Sequence, residues 1–179
     1  MPEITDAEIL QQGLNGVFEQ NKLPDPKTIV QCGNDTTNHK TVVFIGKILN
    51  DLAKAGPTDI PKIIQEVKDF GNSLPEETKQ CLADNQELKT LGLKYGIDDK
   101  TDPDAIEKKV AAYVALHYLT VHKWMGDLNN LWNNQHNYYQ TGFDAAAHAH
   151  TVLDLTPEDI RKIRELEWSN HKYDKIIIK

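Results

Sequence analysis

The chain has 179 residues and a net charge of −7, from 27 acidic against 20 basic side chains. That length suits one globular domain with a core of its own, and a composition of 39% hydrophobic and 26% charged residues is too apolar for intrinsic disorder. The acidic balance argues against nucleic acid as a main partner, because affinity for phosphate backbones rests on clustered cations. No uncharged stretch approaches the length of a membrane-spanning helix.

Helix punctuation recurs along the chain. Thr5 and Glu8 have the spacing of a capping box and open a helix that Ile9, Leu10, Leu14, Val17 and Phe18 make amphipathic through about Gln20. Asp25-Pro26 is an N-cap and first-turn pair for a short helix that Gly33 ends just beyond Cys32. From roughly Thr37 to Ala55 the apolar stripe is so broad that it predicts a central, mostly buried helix. Gly56-Pro57 stops it, and Thr58-Asp59 caps a cleanly amphipathic successor with Ile60, Ile63, Ile64, Val67 and Phe70 along one face. Ser73-Leu74-Pro75-Glu76 opens a further helical stretch that carries Cys81 and continues through Leu82, Leu88 and Leu91.

Residues 94–104 form the most polar linker and mark an internal boundary. Asp98, Asp102 and Asp104 there suggest a calcium loop, but Lys100, Pro103 and Lys109 stand where ligands and the turn glycine belong. Asp102-Pro103 as a helix start accounts for the same residues. From Ile106 through Val110, Val114, His117, Val121, Trp124 and Leu128 to Leu131 the apolar seam advances by threes and fours, which predicts one long helix over about 103–137. The amide- and aromatic-rich run 129–140 has low helix propensity, so the helix frays or turns there. Gly142, Ala145, Ala146 and Ala149 then offer a small-residue face that lets another helix approach closely. The expected fold is all-α, a bundle of about seven to eight helices in one domain over 1–155, followed by a C-terminal helix and tail at 156–179.

Chemistry is fainter than architecture. None of the seven histidines pairs with another at the i, i+3 or i+4 spacing of a helical metal site. His122, Asp127 and His148 make a composite metal or acid–base site only if two helices pack to bring them together, and solvated or hydrogen-bonded structural histidines are the plainer reading. His117 falls within the apolar seam, where a buried imidazole needs a partner for its ring nitrogens. Nucleophile elbows and phosphate-binding glycine loops are missing, so an enzymatic function has no positive support and no cofactor is expected. Trp124, Trp132, Tyr138, Tyr139 and Phe143, set among amides, read as a packed corner between helices, a partner interface or a small-ligand pocket.

Cys32 and Cys81 lie 49 positions apart and belong to no C-x-x-C pair. They are either two unrelated buried thiols or one disulfide, which would stabilise the fold by roughly 4 kcal/mol. Asn34-Asp35-Thr36 is an N-glycosylation acceptor pattern suited to an oxidising compartment. The N-terminal residues show no signal peptide, so the chain is read either as freed of a leader or as cytosolic with reduced thiols.

Cys32, the two helices after it, Ser73-Leu74-Pro75, Cys81, a long helix and the segment Tyr138-Tyr139-x-x-Gly142-Phe143-Asp144 together resemble a group of small secreted helical proteins of ciliated protozoa, over about residues 28–154. The resemblance implies an extracytosolic setting and a Cys32–Cys81 bridge, and it brings no catalytic residues. The leading expectation is a non-enzymatic, disulfide-braced helical protein that works through protein contacts, self-assembly included, with Ile176, Ile177 and Ile178 docking on a neighbour. One alternative is a carrier that encloses an apolar ligand such as a lipid, prompted by the broad stripes at 42–52 and 106–131. The other is a metal-assisted hydrolase using His122, Asp127 and His148.

Overall fold

The Thr5 hydroxyl accepts the Glu8 backbone N–H at 3.1 Å and starts helix α1, Asp6–Gln20, as the capping box requires. Seven further helices follow in the computed structural model, which describes residues 3–154 and Arg161: α2 (Asp35–Lys54), α3 (Ile60–Ser73), α4 (Glu76–Asp84), α5 (Gln86–Leu93), α6 (Pro103–Leu116), α7 (Tyr118–Asn129) and α8 (Tyr138–Leu153). Among the described residues there is no strand, so the all-α expectation holds. The expected final helix and Ile176, Ile177 and Ile178 lie outside the described residues.

Cys32 and Cys81 are bonded, with Cα atoms 5.5 Å apart, and join the turn before α2 to the middle of α4. The short helix expected from Pro26 to Cys32 is only a single 3₁₀ turn over Val30–Cys32. The chain is claimed from both sides: the Glu87 carboxylate accepts the backbone N–H groups of Lys27 and Thr28 at 2.8 Å each, and Asn34 already caps the next helix. Asn34 is exposed, and its side-chain oxygen accepts the Thr37 N–H at 2.8 Å. The stretch containing Cys81 is two helices rather than one, because Asn85 leaves the helical conformation and caps α5 through the Leu88 N–H. Tyr95, in the polar linker after α5, donates to the Ala146 carbonyl at 3.1 Å and accepts from Asn21, so this linker is fastened to α8 and to the end of α1.

The single long helix expected over 103–137 is not observed. His117 adopts φ −123° and ψ 37°, which ends α6 and begins α7, while the Tyr118 hydroxyl donates to the Ala55 carbonyl at 2.7 Å. At the far end α7 loosens into a π turn over Asn130–Asn134. There Asn133 donates to the Gly46 carbonyl at 3.0 Å and ties the amide-rich run to α2.

α1 and α8 run in the same direction in close contact: Gly13 meets Gly142, Gly16 meets Tyr139 and Phe143, and Asn21 reaches His150. Of the small-residue face expected on α8, Gly142 meets Gly13 of α1, while Ala145 and Ala149 face a cavity among the other helices. α2 contributes to two apolar clusters. Ile48 joins Ile60, Ile63, Tyr113, Val114 and Val121, whereas Leu49 joins Leu128, Trp132 and Tyr138. It is less buried than its stripe predicts, with Val43 56% exposed, because its two clusters occupy only part of its circumference.

Candidate functional site

Four helices and the end of a fifth each turn an i, i+3 or i+4 stripe toward a common space. α3 supplies Ile60, Ile63, Ile64 and Val67, and α6 supplies Ile106, Val110 and Val114. α7 adds Val121, Met125 and Leu128, α8 adds Ala145, Ala149 and Val152, and Leu52 with Ala55 closes the α2 end. Between them lies a groove of about 520 Å³ whose lining is almost wholly apolar. That volume falls within the roughly 300–1,000 Å³ of small-molecule sites. Branched side chains on packed helices meet here without filling the space.

Polar groups are few and sit at particular places. Tyr118 lines the groove, but its hydroxyl is already committed to Ala55. Lys68 and Glu107 also line it and pair across α3 and α6 at 3.1 Å; the pair raises the Lys68 pKa, and Asp104 and Asp69 reinforce that shift. His122 is exposed, beside the Tyr118 ring with centroids 5.8 Å apart. His148 lies flat on Trp124, with centroids 4.2 Å apart and planes 13° from parallel.

The expected site residues fall into different places. Trp124 and His148 do meet, as a stack in the groove wall. Trp132 and Tyr138 are core rather than surface, 6% and 8% exposed, packed edge to face at 4.7 Å. Tyr139 and Phe143 are half-buried along α1. A hydrogen bond to the Glu19 carboxylate, with burial, pushes the Tyr139 hydroxyl up to about 12. Among the described residues no three His, Cys, Asp or Glu side chains are grouped so as to hold a metal ion, so His122, Asp127 and His148 are not brought together as the metal site considered from the sequence. His117 is half-buried against the Tyr113 ring at 4.4 Å.

Burial holds the His148 imidazole below its ordinary value of 6.5, against the opposing influence of Asp144 and Asp127. Between these two values the unfolded chain binds a proton that the folded chain does not. The contribution of neutral His148 is therefore complete above 6.5 and is lost as pH falls from there through the folded value. His148→Phe, which keeps a ring on Trp124, removes this pH dependence. Urea midpoints measured between about pH 7.5 and 5 fall more steeply for the natural protein than for the variant; parallel profiles would contradict it.

The sequence carried a trace of the groove in its broad stripe over 106–131, but the stripe over 42–52 contributes only Leu52. The α3 wall was legible as an amphipathic face with nothing to say that its partner would leave space. Among the described residues no helix is long and apolar enough to cross a membrane. No protein-family model, no curated protein and no solved structure matches the chain.

Proposed function

We propose that this is a non-enzymatic binding protein of an extracytosolic compartment that carries an elongated apolar ligand, such as a fatty acyl chain, between its helices. The observation that carries the reading is the groove of about 520 Å³, walled by aliphatic stripes from several helices. Such a surface left to water is unfavourable by roughly 25 cal/mol per Å², and a hydrocarbon ligand relieves it. The Cys32–Cys81 bond supports an oxidising setting, which the likeness to secreted ciliate proteins also implies. Self-assembly through the aromatic segment has less support, since two of its anchors, Trp132 and Tyr138, are occupied in the core.

Titration with the neutral fluorescent probe N-phenyl-1-naphthylamine tests this. The natural chain takes up the probe with a blue-shifted emission, and native mass spectrometry after gentle purification shows retained lipid. Val110→Trp places a large ring in the groove wall and lowers probe affinity by about tenfold, equivalent to roughly 1.4 kcal/mol, with the circular dichroism spectrum unchanged. A natural chain that leaves the probe in water, or a variant that binds it equally well, sinks the reading.

A further inference from the structure

The chain has 13 asparagines, and only Asn34, in Asn34-Asp35-Thr36, stands in an N-glycosylation acceptor triplet. Any N-linked glycan must therefore sit there. Resting on the reading above only for its extracytosolic setting, we propose that Asn34 carries an oligosaccharide on its Nδ2, rooted at the end of the molecule away from the groove.

All three residues of the triplet are exposed. Asn34 has extended backbone, φ −95° and ψ 179°, two residues after the bridged Cys32. Its Oδ1 accepts the Thr37 N–H at 2.8 Å, which caps α2 and fixes the plane of the side-chain amide. Neither Nδ2 nor the Thr36 hydroxyl makes a hydrogen bond among the described residues. Asn85 caps α5 through its Oδ1 in the same way but spends its Nδ2 on the Thr28 hydroxyl at 2.8 Å. At Asn34 the two halves of the amide are divided: the oxygen holds the helix, and the nitrogen is left for chemistry. A sugar on Nδ2 costs no hydrogen bond within the protein and keeps the cap. In the transfer, Nδ2 attacks the anomeric carbon of an oligosaccharide carried on a lipid diphosphate. The N–C bond forms as the C–O bond to the diphosphate breaks, the diphosphate leaves with the electron pair, and the amide gives up one proton. Position along α2 decides what the glycan leaves open. The helix spans 20 residues, so Asn34 lies about 30 Å from the end where Leu52 and Ala55 meet the groove.

The test produces the full chain behind a cleavable secretion leader in eukaryotic cells and reads its intact mass before and after peptide N-glycosidase. The natural sequence and Thr36→Ser gain the mass of an oligosaccharide, which the glycosidase removes while converting the linked asparagine to aspartate. Thr36→Ala, which leaves the cap in place, and Asn34→Asp, which keeps a capping oxygen, lack the added mass and give an unchanged circular dichroism spectrum. Affinity for the neutral probe agrees within about twofold between the glycosylated and the stripped chain. An unmodified natural sequence, or an N-glycan that persists in Thr36→Ala, overturns the site and leaves the groove reading standing where the probe is bound. A larger loss of probe affinity on glycosylation overturns the placement away from the groove. Exclusion of the probe from glycosylated and stripped chains alike overturns the groove reading and leaves the site.

Discussion

Gly142→Ala destabilises the protein by about 3 kcal/mol, at the upper end of the usual cost of overpacking, whereas Gly13→Ala is neutral or stabilising. The two glycines face each other, yet their surroundings differ. A Cβ on Gly142 would lie 1.9 Å from the Gly13 carbonyl oxygen and 2.8 Å from its carbon. Both atoms are backbone, so no side chain can swing aside, and the helices must part. Phe18 on α1 and Ala146 on α8 are only 2% and 3% exposed, so the two helices have little free space into which to shift. A Cβ on Gly13 meets nothing nearer than 3.7 Å, so alanine there gains helix propensity of about 0.5–1 kcal/mol without a clash. Thermal melts followed by circular dichroism read the contrast. For a chain of this size about 3 kcal/mol lowers the midpoint by roughly 6–12 °C, and equal melts for Gly142→Ala and the natural protein would show that the helices separate freely.

That contrast shows where sequence reasoning reaches and where it stops. Gly142 with Ala145, Ala146 and Ala149 announces a face for close approach, but only the folded chain shows that Gly142 takes α1 as its partner while Ala145 and Ala149 turn to the groove. Starts of helices were legible because they depend on a few adjacent atoms: Thr5 on the Glu8 N–H, and Asp102 on the Asp104 N–H at 3.0 Å before Pro103. The break at His117 was not, because the apolar seam runs through it in unbroken steps and neither proline nor glycine marks it. The observed break is accompanied by a distant contact, Tyr118 to the Ala55 carbonyl, 63 positions away. Trp132 and Tyr138 illustrate the same limit, since an aromatic pair on an amide-rich run reads alike whether it meets a partner or its own core. The groove is the extreme case: a void is a property of how far several helices stand apart, and no single stripe encodes it.

Replacing both cysteines by alanine lowers stability by about 4 kcal/mol on the loop-closure account for a bridge across 49 positions, and the melting midpoint by roughly 8–16 °C, while leaving the groove able to bind. The bond restrains the unfolded chain more than it shapes the binding walls. Without it the α4–α5 unit still has polar fastenings: Glu87 accepts the Lys27 and Thr28 N–H groups, and Asn85 donates to the Thr28 hydroxyl at 2.8 Å. The groove is walled by α3, α6, α7, α8 and the end of α2, and takes no residue from α4 or α5. Probe binding measured well below the lowered midpoint is therefore kept, within about twofold of the natural chain. Loss of binding in a variant that is still folded would place the disulfide inside the binding mechanism. A melt unchanged by the substitutions would instead show that the side-chain fastenings alone hold the front of the molecule together.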